Sequence, residues 1–210
     1  MELCRDDGFS PLSIAAQENH VEIVRLLIDA KANVDEALEE LYNQPVMTAI
    51  EEEHIEALEL LVSAKADINA LNDEHDYRTP LRTAIVSDNM HALNVLINAK
   101  VDIECCARGD EEGWRSPLCH AAAEGKVDAV IKLLDAKADI DKGDPVGGAL
   151  RGFRRSRGRT ERLLRILIGA KADVNKTYEQ LTPATFAARH CDEVVLRILV
   201  EAKTEINKAC

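Results

Sequence analysis

The prolines of this chain keep register with a second marker, and that register constrains the fold more than any single motif. Pro11, Pro45, Pro80, Pro117, Pro145 and Pro183 are each followed by an Ala-Lys pair, at Ala30-Lys31, Ala64-Lys65, Ala99-Lys100, Ala136-Lys137, Ala170-Lys171 and Ala202-Lys203. Five of the six Pro-to-Ala separations are 19 residues; the exception, Pro145 to Ala170, is 25. A chain of 210 residues that uses one unit six times reads as one continuous stack, residues 1–210, in which each unit rests on its neighbours. The units fall at about 8–41, 42–76, 77–113, 114–143, 144–179 and 180–210. Such stacks offer extended surfaces rather than enclosed pockets.

Within a unit the residues predict two short helices. Ser10-Pro11 is a helix start: the hydroxyl accepts from a first-turn N–H, and proline at the first helical position has no N–H to leave unpaired. Leu12, Ile14, Ala15 and Ala16 follow, and the small alanines let a neighbouring helix approach closely. Asn19-His20 ends this helix. Val21, Ile23, Val24, Leu27 and Ile28 then lie at helical spacing up to Ala30-Lys31. Ala32-Asn33-Val34-Asp35 leads into an exposed connection. Thr79-Pro80-Leu81, Ser116-Pro117-Leu118 and Thr182-Pro183-Ala184 open later units in the same way. One such pair cannot bury its apolar face alone, whereas six stacked pairs make a continuous core. With 46% hydrophobic and only 3% aromatic residues, that core is aliphatic.

The Thr-Pro-Leu opening, the alanine pair, the Val/Leu/Ile-rich second helix and the Ala-x-Ala-Asp-Val-Asn tail resemble the ankyrin repeat, over nearly the whole chain. The resemblance implies an all-α solenoid of six helix–turn–helix units with projecting hairpin loops. It also implies partner docking on the hairpin tips and on the concave face of the first helices. Three departures stand out. The glycine the family places after the second helix is lysine in all six units. If the backbone is left-handed there, each lysine costs on the order of 1 kcal/mol relative to glycine, and a cation at a helix C-terminus recovers about 0.3–1 kcal/mol. The histidine that commonly follows Thr-Pro-Leu is replaced by Ser13, Met47, Arg82, Cys119, Gly147 and Thr185, which puts the family's hydrogen-bond network in doubt. The fifth unit carries about six extra residues within Leu150–Arg159, as an extended first helix or a protruding loop, with Gly152 and Gly158 favouring the loop.

Charge bounds the partner. The net charge of −12 argues against general nucleic-acid affinity. It is uneven: residues 1–69 carry −12, residues 70–144 carry −6 and residues 145–210 carry +6. The expectation is a non-catalytic protein-binding adaptor or complex subunit whose partner has acidic and basic segments. The surface expected to hold it comprises the aromatic and basic residues of the hairpin tips (Tyr42, Tyr77, Arg78, Trp114, Arg115 and Tyr178). It also takes in the first-helix ends (Glu51, Glu52, Arg189 and His190) and the arginine-rich insertion (Arg151, Arg154, Arg155, Arg157 and Arg159). The alternative is an anionic ligand, RNA or phospholipid, held by residues 151–165. Head-to-tail self-association, with the acidic first units of one copy on the arginines of another, also fits the charge pattern.

The chain holds no nucleotide loop, zinc-protease helix or serine elbow, so no enzyme activity, cofactor or metal is expected. Cys105-Cys106 and Cys119-His120 match no standard zinc spacing. The six cysteines show no repeated spacing, which together with an N-terminus unlike a signal peptide points to a reducing, cytoplasmic setting. No apolar run approaches the roughly 20 residues that span a bilayer. The last predicted helix stays apolar from Val194 to Val200 where terminal repeats usually turn polar, so that end is expected either to be covered by a partner or to continue into a natural extension.

Overall fold

The computed structural model describes residues 9–36, 44–71, 79–105, 107–109, 113–140, 142, 146, 149, 157–177, 181–190 and 192–202; residues 107–109, 113–115 and 157 are described by backbone alone. The chain divides into two compact units, Met1–Asp102 and Ile103–Cys210.

In the first unit the marker prolines open helices as expected. α1 (Pro11–Gln17) is followed by α2 (Val21–Asp29), α3 (Pro45–Glu51) by α4 (Ile55–Ser63), and α5 (Pro80–Val86) by α6 (Met90–Asn98). Ser10 and Thr79 accept from the N–H groups of Ser13 and Arg82, both at 3.1 Å, satisfying first-turn donors that helix geometry leaves without a partner. Gln44, ahead of Pro45, makes no side-chain cap. Each first helix packs on its own second helix and on the next first helix, α1 on α3 and α3 on α5; the second helices pack in parallel series, α2 on α4 and α4 on α6. The alanine pair explains the close fit, since Ala15, Ala16, Ala49 and Ala84 are fully buried among Leu12, Ile50, Leu58, Leu61 and Leu81.

The second unit opens with a hairpin, β1 (Ala107–Gly109) antiparallel to β2 (Gly113–Arg115), in which Arg108 pairs with Trp114. Then come α7 (Pro117–Ala123), α8 (Val127–Asp135), α9 (Arg157–Gly169), α10 (Pro183–Arg189) and α11 (Glu193–Glu201). Ser116 and Thr182 cap α7 and α10 as Ser10 and Thr79 cap theirs. α8 packs on α9 and α9 on α11, over a core of Leu118, Leu133, Leu163, Leu164, Leu167 and Leu199. The helix pairs stacked over an aliphatic core make each unit a segment of a helical solenoid, with the β1–β2 hairpin projecting from the second.

The described end of the fifth repeat's insertion is helical. α9 has 13 residues where α2, α4, α6, α8 and α11 have 9. The surplus, about one turn, lies at its start, so Arg157, Gly158 and Arg159 lengthen the second helix, while residues 150–156 of the expected insertion lie outside the described residues. A Cβ on Gly158 would meet nothing within 4 Å, so no close approach requires the glycine, and it costs the helix only its propensity deficit of about 1 kcal/mol. Thr160 anchors that turn: it is buried, and its hydroxyl donates to the Ala149 carbonyl at 3.4 Å.

Candidate functional site

The lysines settle how the second helices end. Lys31, Lys65, Lys100, Lys137 and Lys171 all have positive φ, between 64° and 71°. In each case the lysine N–H and the following N–H fold back onto the last turn. Lys65 donates to the Val62 carbonyl and Ala66 to the Leu61 carbonyl, both at 3.0 Å. This is the glycine-type helix end built with lysine, and all five lysines are exposed. A second left-handed turn separates the helices of a pair at Asn19, Glu53, Asp88 and Gly125.

Beyond the lysines runs a hydrogen-bond ladder that the sequence reading missed. The Asp67 N–H donates to Asp35 Oδ1 at 2.7 Å, the Asn69 N–H to Asp67 Oδ1 at 2.9 Å, and the Asp102 N–H to Asn69 Oδ1 at 2.8 Å. In the second unit the Asp139 N–H donates to Glu104 Oε1 at 2.6 Å, and the Asn175 N–H to Asp173 Oδ1 at 2.8 Å. Lys142 Nζ donates to the Glu104 carbonyl at 2.7 Å. The signal was present in the register: the residue five past the Ala of each pair is Asp35, Asn69, Glu104, Asp141, Asn175 or Asn207, always an acceptor. The ladder ties the starts of consecutive connections between repeats to one another.

A second cross-repeat device starts ten residues before the same Ala. His54 Nδ1 lies 3.0 Å from the Ala16 carbonyl, and Asn89 Nδ2 donates to the Ile50 carbonyl at 3.1 Å. Asn89 Oδ1 also accepts from the Ala92 N–H at 2.9 Å, so one buried side chain caps α6 and ties it to the repeat before. At the position after Thr-Pro-Leu, Ser13, Cys119 and Thr185 make side-chain hydrogen bonds and Met47 accepts one, while Gly147 lies outside the described residues. Ser13 bonds Ser10 at 3.1 Å, the Thr83 hydroxyl donates to Met47 Sδ at 3.8 Å, Cys119 Sγ donates to the Lys142 carbonyl at 3.5 Å, and Thr185 donates to the Thr182 carbonyl at 2.8 Å.

Of the residues expected to meet a partner, the first-helix ends are the best defined. Glu51 ends α3, Glu52 caps it and Glu53 makes the left-handed turn; all three are exposed. Glu18 caps α1, and Asp88 follows α5, both exposed. Since α1 packs on α3 and α3 on α5, these acids form a row across the first unit. Carboxylates at a helix C-terminus face the negative end of the macrodipole and are disfavoured there by about 0.3–1 kcal/mol each. α10 has the reverse arrangement: exposed Arg189 ends it, favourably, and His190 stacks on Phe186 with centroids 4.4 Å apart.

Arg159, Arg162 and Arg165 are exposed on α9. Arg165 Nη2 lies 3.3 Å from Glu161 Oε1, and Arg159 Cδ approaches to 3.6 Å the place where a Cβ on Gly125 would sit. Trp114 and Arg115 lie in β2 and Arg157 in the first turn of α9. Tyr42, Tyr77, Arg78, Arg151, Arg154, Arg155 and Tyr178 lie outside the described residues. Among the described residues, no group of three or more His, Cys, Asp or Glu is placed to hold a metal, and no helix is long and apolar enough to cross a membrane.

The family model for ankyrin repeats in three copies matches residues 1–72 and 46–144. Among solved structures, an ankyrin repeat domain from Acinetobacter baumannii superimposes with a TM-score of 0.82 at 20% identity, covering 93% of this chain and 98% of that one. The human ASB11 ankyrin repeat domain superimposes with a TM-score of 0.71 at 23% identity, covering 95% of this chain and 86% of that one. No curated protein matches the chain in sequence.

Proposed function

The chain belongs to the ankyrin repeat family, and from that premise we propose that it is a non-catalytic adaptor or complex subunit that binds a protein through its hairpin tips and first-helix ends. The observation that carries this reading is the row Glu18, Glu51, Glu52, Glu53 and Asp88. These are exposed acids grouped at the C-terminal ends of the first helices, where the negative end of each helix dipole adds to their own charge in attracting a cationic segment. The fitting partner presents a Lys- or Arg-rich segment to the first unit. Electrostatic matching there sets orientation and on-rate more than affinity. In the second unit, Arg159, Arg189 and His190 take an acidic segment of the same partner, and Trp114 with Arg115 adds the hairpin edge.

The row tests the reading directly. The intact chain and a Glu51→Gln/Glu52→Gln/Glu53→Gln variant are used side by side to capture partners from native lysate. The expected result is a protein with a basic segment that is retained by the intact chain, lost from the variant and released by salt. Identical captured sets from both chains would overturn it. The anionic-ligand alternative has no comparable support, because Arg165 is already paired and the described insertion residues form a helix turn rather than a cradle.

A further inference from the structure

The two outermost second helices expose apolar side chains at register positions that are covered elsewhere. Seven residues before the Ala of each Ala-Lys pair stand Ala57 and Ala92 in the first unit and Leu163 and Val195 in the second, all fully buried. Ile23 holds this position in α2 and is 47% exposed. Four residues before the Ala, Leu26 is 67% exposed, whereas Ile198 of α11 is 4% exposed. These two positions therefore face the preceding repeat.

Six residues before the Ala the pattern reverses. Val24, Leu58, Val130 and Leu164, each followed by another repeat of its own unit, are fully buried, whereas Leu196 of α11 is only half-buried. Two residues before the Ala, Ile28, Val62 and Ile168 are half-buried, whereas Val200 is 45% exposed. These positions face the following repeat. α2 thus offers the preceding-side half of a repeat contact, and α11 offers the following-side half.

We propose that the α2 face of one copy docks on the α11 face of a second copy, head to tail, reproducing the relation in which α9 packs on α11. Charge selects this pairing over like-to-like pairing. The net charges are −12 for residues 1–69 and +6 for residues 145–210, so head-to-tail docking brings opposite signs together and like ends repel. The charges flanking the two faces are neutralised within their own helices: Arg25 lies 3.9 Å from Glu22, and Arg197 lies 2.6 Å from Glu193. A heterologous contact of this kind leaves one open face at each end, so association continues beyond the dimer.

The proposal is independent of the acidic row and is tested without any partner. Sedimentation velocity follows the intact chain over a concentration series, beside Leu26→Glu, which blocks the head, and Val200→Glu, which blocks the tail. Both positions are exposed, so far-UV circular dichroism is expected to stay unchanged. The mass of the intact chain is expected to rise with concentration, while each variant alone stays monomeric. An equimolar mixture of the variants forms a 1:1 dimer, because the intact tail of one meets the intact head of the other. An intact chain that stays monomeric at every concentration, as it would if a different protein covered these faces, overturns the proposal. So does association lost in one variant and untouched in the other, the mark of like-face pairing, or a mixture that stays monomeric.

Discussion

The backbone N–H of Asp67 reaches the carboxylate of Asp35 at 2.7 Å across 32 residues of sequence. The same step recurs one repeat later between Asp102 and Asn69. Two consecutive junctions between repeats of the first unit are thus tied, just past the lysine turns, by a side chain that accepts and a main chain that donates.

Removing the first rung tests its weight. Asp35→Ala takes away a charged acceptor at an exposed site, for which a loss of about 1 kcal/mol is expected, while Asp35→Asn keeps an oxygen in place and loses about half as much. Urea unfolding midpoints of the two variants measure the difference. Equal losses would mean that the hydrogen bond contributes nothing beyond the charge.

The lysine turns give a stabilising prediction. Lys65 has φ 65° and is exposed, so the side chain adds no burial and the backbone carries the left-handed cost. Lys65→Gly is expected to raise stability by about 1 kcal/mol, less the small loss of a cation at the C-terminus of α4. Lys65→Ala keeps the Cβ and is expected to gain nothing. Thermal unfolding of both variants separates backbone relief from loss of charge.

Much of this was legible before any coordinates. Ser10-Pro11 and Thr79-Pro80 announce their helix starts because capping is a local interaction, decided within four residues. The lysine turns were legible as a condition: lysine where the family has glycine costs energy only if φ is positive, and φ is positive. Three things were not legible. The ladder joins residues more than 30 positions apart, and its signal is visible only when repeats are aligned on the Ala-Lys pair. The dual role of Asn89 needs the Ile50 carbonyl beside it, which only stacking supplies. The turn Arg157–Arg159 reads as a loop because glycine dominates local propensity, yet the buried Thr160 and Leu163 carry the helix back through it. The acids of α3 were legible as a first-helix end, in agreement with the observed boundary at Glu51; what the structure added is the left-handed turn at Glu53.

Asn89 concentrates two interactions in one buried side chain. Asn89→Ala removes the cap of α6 and leaves the Ile50 carbonyl without this donor, for an expected loss of about 2 kcal/mol. Asn89→Ser keeps a neutral capping oxygen and loses the amide donor, so about half the loss is expected. If the two variants lose equally, the cross-repeat bond rather than the cap holds α6. Chemical denaturation with tertiary and helical probes reads both.

The turn between the helices of a pair offers a reciprocal test. Gly125 has φ 71° and Glu53, at the same register, has φ 59°. A Cβ on Gly125 would meet the Arg159 side chain at 3.6 Å, an ordinary contact, so Gly125→Ala is strained by its backbone alone. A loss of about 1 kcal/mol is expected there. Glu53→Gly runs the exchange backwards: it relieves the left-handed glutamate and removes one acid facing the negative end of α3, for a gain of about 1 kcal/mol. If acid crowding contributed as well as backbone strain, Glu53→Gln recovers part of that gain at low ionic strength and none at high salt. Unfolding midpoints at two salt concentrations decide between them. A Glu53→Gln variant no more stable than the native chain at either concentration leaves backbone relief as the whole effect.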